Sequence, residues 1–309
     1  MIDYAWCTEL QEADAQQLSD LLVRAAAYDA EPEYNSLDPA ELTAEMADPS
    51  AGGRYLVLWL QPRPRALDAP LEPRRVAGLL RFLPAADGWY EGTVIIDPDL
   101  RSIGIMTLLM ERAGLALDAD EGWLGSGIRR VRAWARGNHP ASGRIADRNL
   151  IPRDRQMWKL IRPVGDDARP ADVHPAGGAG AVADFLDSLP ADATRVEEMR
   201  RARADAAQSG EYPVLAHSGG GELDGVLGLD LAPVFSEEFG RCASVRYLMT
   251  RPGDRAAMRD LITAADAPLR EAGLDALILY VESSDDDLVA VCRLAGFQHD
   301  RTDVRYELH

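Results

Sequence analysis

Apolar residues recur at the helical period from about Glu12 to Tyr28, and again over a shorter span from Pro39 to Ala47. The texture then changes. Arg54–Leu60, Arg75–Phe82 and Tyr90–Ile96 are short runs rich in Val, Ile, Leu and aromatics, separated by Pro- and Gly-bearing turns, and predict three consecutive antiparallel strands. After Asp97-Pro98 the period returns to 3.6: Ile105, Leu108, Leu109, Arg112 and Leu115 mark a helix ending before Gly122. A strand from Ile128 to Ala135, a helix from Pro140 to Arg148 and a strand from Arg155 to Ile161 complete the series.

Residues 163–178 are Pro, Gly, Ala and Asp with no apolar period, which predicts a linker. The same order of elements then restarts. Helices are predicted over Ala181–Ser188 and Thr194–Gln208, strands over Tyr212–His217, Glu222–Leu231 and Ala243–Met249, and a helix over Asp254–Glu271. A strand over Ala276–Val281, a helix over Asp286–Ala295 and a strand over Thr302–Leu308 follow. Shifting the halves by 146 residues aligns Ala133-Trp134-Ala135 with Leu279-Tyr280-Val281, and Ile145 with Val291. Hydrophobic positions coincide while identities do not, so the chain reads as a duplicated fold with domains 1–163 and 179–309 joined by a linker over 164–178.

Composition narrows the function classes. The net charge of −18 repels phosphate backbones and anionic membranes at long range. No apolar stretch is long enough to span a bilayer. Cys7, Cys242 and Cys292 form no CxxC pair and no metal-ligand spacing, which fits a reducing cytoplasm and predicts no metal. Against the acidic whole, the interval Arg129–Arg162 holds ten basic residues and two acids, a local balance of +8. Converging, these side chains would form a phosphate-attracting face able to receive RNA; spread out, they pair with the acidic remainder.

Chemistry concentrates in Asp97-Pro-Asp-Leu-Arg101-Ser-Ile-Gly104-Ile-Met106-Thr. A glycine at the entry of a helix lets a ligand approach the backbone, and the unpaired amides there attract an anion. The candidate binding set is Ile95, Ile96, Arg101, Ser102, Ile103, Gly104, Ile105, Met106, Thr107 and Asn138, with Arg101 as a second anion contact. The run strand, Asp-Pro turn, Arg-x-x-Gly, amphipathic helix, strand, helix, strand resembles the acyl-CoA-binding core of the GNAT acyltransferase superfamily, with Met106 where that superfamily has its second small residue. Trp134-Ala-Arg-Gly-Asn138-His139-Pro140 with Arg153 to Leu160, and Ala290 to Phe297 with Thr302 to Tyr306, are similar to the ends of the two domains of mycothiol synthases. That resemblance implies an α/β (α+β) fold of two tandem GNAT-like domains, each a mixed, mostly antiparallel sheet flanked by helices. It further implies acetyl-CoA or another acyl-CoA as donor and a small-molecule primary amine as acceptor.

The second half departs from the pattern. Its loop reads Gly253-Asp254-Arg-Ala256, the tyrosine that commonly protonates the leaving thiolate falls at Cys292, and Cys242-Ala-Ser-Val245 lacks the family's carboxylate. The chain is therefore expected to differ from mycothiol synthase itself. Catalytic candidates are His139 as a base, against a role in helix entry, and Tyr280 and Tyr306 as hydroxyl groups near the groove. Asn138 reads as the cap of the helix that follows, Cys292 as a small buried hydrophobe, and Asp285–Asp287 as a solvated helix start. No motif marks the acceptor pocket, which is expected near Tyr28–Tyr34 and Asp192–Gln208. The alternatives are an aminoacyl-tRNA donor on the same fold and a non-catalytic binding module.

Overall fold

The structure is a computed structural model describing residues 2–61, 73–166, 169–190, 195–207 and 212–309. In chain order it forms β1 (Ile2–Trp6), α1 (Glu12–Asp29), α2 (Pro39–Ala47), β2 (Arg54–Leu60), β3 (Arg75–Pro84), β4 (Tyr90–Ile96) and α3 (Ile105–Ala113). Then come β5 (Val131–Ala135), α4 (Pro140–Arg148), β6 (Arg153–Pro163), β7 (Val173–Pro175), α5 (Ala179–Ser188) and α6 (Val196–Ala207). The chain ends with β8 (Val214–Gly219), β9 (Glu222–Ser236), β10 (Gly240–Thr250), α7 (Arg255–Ala264), α8 (Asp266–Glu271), β11 (Ala276–Glu282), α9 (Asp286–Leu294) and β12 (Gln298–Leu308).

Two compact units result, one of Met1–Gln156 with Thr302–His309, the other of Met157–Arg301. In the first unit the strand order is β1-β2-β3-β4-β5-β12. All neighbours are antiparallel except β4 and β5. Alternation along the strands gives each face its own core. Val57, Leu79 and Ile95 meet Leu18, Leu21 and Leu22 of α1, while Leu56, Leu58, Leu80 and Phe82 meet Ile105, Met106 and Leu109 of α3. The parallel pairing of β4 with β5 lasts three rungs, ending at Gly92↔Ala133. β4 runs on to Ile96 and β5 to Ala135 unpaired with each other, so the strands splay towards their C-terminal ends.

The second unit repeats the plan with the order β6-β11-β10-β9-β8-β7. Its parallel pair, β10 and β11, also keeps only three rungs, from Cys242↔Ala276 to Ser244↔Ile278. Met258, Leu261 and Ile262 of α7 pack with Leu227, Leu229 and Leu277 in its main core.

The closing strands fall to the unit whose strand they bond. From Val304↔Ala135 to Leu308↔Val131, β12 is antiparallel to β5. From Met157 onward, β6 is antiparallel to β11, with Ile278↔Ile161 at mid-strand. The compact units therefore do not follow the division at residues 163 and 179. Two strands add to the sequence reading, β1 and the three-residue β7, the latter inside the stretch expected to be linker. The helix expected over Asp254–Glu271 divides into α7 and α8, because Pro268 has no N–H to donate. The helix expected over Thr194–Gln208 is present as α6, with its two expected end residues outside the described residues.

Candidate active site

A cavity of about 890 Å³ opens in the first unit. It extends from Tyr28, Tyr34 and Asn35, after α1, across the splay between β4 and β5, past the start of α3, and on to Leu117 and Trp123.

The start of α3 is built to expose main-chain donors. Gly104 is its N-cap residue at φ +89°, and no side chain caps the helix. The first carbonyl bond into the helix is Leu108 N–H to Gly104 O at 2.8 Å. The amides of Ile105, Met106 and Thr107 have no carbonyl acceptor among the described residues, as the geometry of a first helical turn requires. A Cβ placed on Gly104 would meet nothing within 4 Å, so the space above it is open. Met106 turns its side chain into the core beside Ile105 and Leu109 and leaves that opening clear.

Two buried carboxylates hold the loop in front of this helix. Asp29, at the end of α1, receives both terminal nitrogens of Arg101 at 2.6 and 2.7 Å, while Arg101 Nε donates to Ile96 O at 3.2 Å. The bidentate pair raises the Arg101 pKa still further. Its guanidinium is thus engaged within the protein, in contrast to the second anion contact expected of it. Asp97 accepts from Arg24 at 2.8 Å, from Arg75 at 2.7 Å and from the Asp99 amide at 3.1 Å. Burial works to raise the Asp97 carboxyl, but these donors outweigh it and hold the group below its ordinary value.

His139 is the N-cap of α4; its Nδ1 accepts from the Ala141 amide at 3.1 Å. The cap is therefore His139, and Asn138, at φ +48°, belongs to the turn before it. With Nδ1 accepting, the neutral ring carries its proton on Nε2. The imidazole can then donate into the cavity, but it has no free lone pair with which to serve as the base expected from the sequence. Burial, reinforced by the nearby charge of Arg101, pushes its pKa below the ordinary histidine value. Tyr34 packs against the ring with centroids 4.4 Å apart.

Tyr306 comes from the chain's last strand. It is 8% exposed, lines the cavity, and its hydroxyl has no hydrogen-bond partner among the described residues. The registers place Phe82, Gly92, Ala133 and Tyr306 in one lateral row of the sheet. That row is the last rung before β4 and β5 separate, so the Tyr306 backbone lies beside the apex of the splay, and its ring rises from the sheet to bring the hydroxyl within 3.7 Å of the place a Cβ on Gly143 of α4 would take.

The other expected positions divide between inside and outside. Ile96, Arg101, Ser102, Gly104, Ile105, Met106, Thr107 and His139 line the cavity, and Asn138 does not. Ile95 does not either, because alternation turns it to the opposite face, against α1. Ile103 is 55% exposed just outside. Tyr280 belongs to the second unit, where Arg301 donates to its hydroxyl at 3.4 Å. Gly92 carries no signal in the sequence; Asp97 stands at the head of the Asp-Pro run, and Asp29 and Tyr34 stand in the stretch expected for the acceptor, but nothing local marks the contacts they make.

In the second unit, Asp254 fills the equivalent of the exposed amides. Its carboxylate accepts from Ala257 N–H at 3.0 Å at the start of α7. Cys292 is fully buried, and burial pushes its thiol up to about 12, which excludes a thiolate nucleophile at neutral pH. Asp285 caps α9 through Leu288 N–H at 2.9 Å, and Asp287 pairs with Arg255. The described residues contain no cluster of His, Cys, Asp and Glu able to hold a metal ion, and no helix long and apolar enough to cross a membrane.

No family model matches the chain. It is 30% identical to the mycothiol acetyltransferase of Clavibacter sepedonicus over 239 residues, covering 71% of this chain and 73% of that one. The chain belongs to the mycothiol acetyltransferase family. Within that family it is also 25% identical to the protein from Saccharomonospora viridis over 325 residues, 99% of each chain. With the protein from Stackebrandtia nassauensis it shares 30% over 200 residues, 63% of that chain's length. Its fold matches that of a tandem GNAT protein from the clavulanic acid biosynthesis pathway, with a TM-score of 0.58 and 16% identity over 99% of this chain and 98% of that one. Mycothiol acetyltransferase relatives and tandem GNAT neighbours together support the reading of this chain as an acyltransferase with two GNAT-like domains.

Proposed function

We propose that the first unit transfers an acyl group from acyl-CoA to the primary amine of a small molecule, by direct attack within the cavity. The observation that carries this reading is the uncapped start of α3 opening on a splayed parallel strand pair. The amides of Ile105, Met106 and Thr107, with the positive end of the helix dipole, would hold the donor's diphosphate. Gly104 supplies the turn, and Asp29 fixes Arg101 so that the loop keeps its shape. The unpaired edges of β4 and β5 would receive the amide-bearing arm of the donor, which brings the thioester to the row of Gly92 and Ala133. Bound there, the thioester supplies an activated carbonyl. Tyr306, with a hydroxyl that has no partner among the described residues, would hydrogen-bond the departing sulfur and give it a proton. His139 Nε2–H would orient the acceptor.

The relatives are named mycothiol acetyltransferases; the transfer chemistry is carried over here and the acceptor is not. Second-unit residues that depart from the family pattern, Asp254 and Cys292 among them, support that separation. An aminoacyl-tRNA donor has weaker support. Within the basic interval Arg132, Arg136, Arg148, Lys159 and Arg162 each meet a carboxylate, Arg129 is bonded to the Asp120 carbonyl at 2.6 Å, and Arg130 lies over Trp89. Three free cysteines fit a reducing cytoplasm.

Thermal unfolding with and without acetyl-CoA tests the reading. Stabilisation by the donor is expected, and it should vanish in Gly104→Trp, whose side chain would occupy the open space above the loop. Absence of any shift with a panel of acyl-CoA esters removes the proposal. Small RNA that co-purifies and dissociates steeply with salt would favour the tRNA donor instead.

A further inference from the structure

Resting on the acyl-CoA reading above, a second feature of the cavity bears on the length of the acyl group. The donor's thioester would lie at the Gly92↔Ala133 rung, where β4 and β5 close together. The cavity does not end there. It continues on the α3 side to Phe82, Leu117, Trp123, Val131 and Leu308. Val131 pairs with both Tyr90 and Leu308, two lateral rows beyond Gly92 and Ala133 and on the same face. That is two residues further along the strands, about 6.7 Å.

Every one of these walls is apolar. The polar end of Trp123 is turned away and satisfied, with Nε1 donating to Gly114 O at 2.9 Å. Trp6, Phe82 and Trp123 brace one another edge to face, with centroids 5.8 to 6.0 Å apart, so the pocket cannot easily collapse. Interiors normally fill such space with side chains. Gly92, at the entrance, does the opposite: a Cβ there would meet Val131 Cγ1 at 3.1 Å and Phe82 Cε1 at 3.4 Å, narrowing the way in. An acetyl group ends with its single methyl at the rung and leaves the space beyond unused.

We infer that this end of the cavity is an acyl-chain subsite, and that the donor carries an unbranched saturated chain of about hexanoyl to octanoyl length. Transfer then forms an amide to that chain and releases CoA as the thiol, the amine's proton balancing the one gained by sulfur. A dry apolar wall discriminates by length alone, because each methylene that leaves water raises affinity about fourfold until the pocket is full.

Calorimetric titration of the full chain with CoA, acetyl-CoA, hexanoyl-CoA, octanoyl-CoA and palmitoyl-CoA tests the inference. Affinity should rise at least tenfold from acetyl to hexanoyl or octanoyl and stop rising at palmitoyl. In Leu308→Trp, a change near the chain terminus that fills the subsite, the ratio of octanoyl to acetyl affinity should fall at least tenfold. If acetyl-CoA binds as tightly as the longer esters, the subsite is refuted while the acyl-CoA reading stands; if no ester and no CoA binds, both fall. The length series on the unaltered protein decides the matter even if the variant does not fold.

Discussion

Tyr306 and Gly92 lie in one lateral row of the first unit's sheet with only Ala133 between them, although 214 residues separate them in sequence. Two strand spacings, about 9.6 Å, part their backbones, and the Tyr306 side chain stands on the cavity face of that row. Removing the hydroxyl leaves no partner stranded, since none of the described residues bonds it. Tyr306→Phe should therefore unfold within about 2 °C of the unaltered protein, a small change on the scale of one hydrogen bond. Its kcat, followed by the release of free CoA thiol, should fall about a hundredfold with the KM for donor little changed. An unchanged kcat would rule out a proton-donating role.

Gly92 is the point at which the splay closes, and space there is already short. Gly92→Leu forces a branched side chain among Val131, Phe82 and Ala133. Overpacking of this kind costs about 1–3 kcal/mol. Denaturant titration should show that loss, and the stabilisation by acetyl-CoA should disappear. A variant that still gains full stability from the donor would move the thioester away from this rung.

His139 couples the site to pH. Its folded-state pKa lies below the ordinary histidine value because the ring is buried and close to Arg101, so the unfolded chain binds the proton more readily. Stability is then full above the unfolded-state value and is lost as pH falls through it. Protonation also puts a hydrogen on Nδ1, which can no longer accept from Ala141. Thermal unfolding between pH 8 and pH 5 should show the melting temperature fall on the acid side. In His139→Asn, which keeps a capping acceptor without a titrating ring, that part of the slope should be absent. An identical slope in the variant would assign the pH effect to other groups.

Much of this fold was legible because its punctuation is local. The expected bounds of β2 (Arg54–Leu60), β4 (Tyr90–Ile96), α2 (Pro39–Ala47) and α4 (Pro140–Arg148) match those observed, and each lies beside a Pro, Gly or Asp turn. What the sequence could not show was pairing. β6 and β12 have similar composition and length, so nothing local indicates that β12 bonds β5 while β6 bonds β11. The site suffered in the same way. Gly104 was readable from its loop, but the hold of Asp29 on Arg101 spans 72 residues, and an arginine already engaged looks in sequence like an arginine waiting for an anion.

The two units differ most sharply where their third helices of binding type begin, and this fixes a stoichiometry. α3 starts at Gly104 without a side-chain cap, whereas α7 starts under the carboxylate of Asp254, which takes the Ala257 amide at 3.0 Å. A diphosphate approaching α7 would meet that negative charge and find one of its donors already used. Titration calorimetry should give one acetyl-CoA per chain. Asp254→Ala should cost about 1 kcal/mol of stability through the lost cap and leave the stoichiometry at one, because the loop before α7 still lacks the glycine that follows Arg101 by three residues in the first unit. Gly104→Trp should remove binding altogether. Two donors per chain, or strong residual binding in Gly104→Trp, would place a working donor site in the second unit and overturn the assignment.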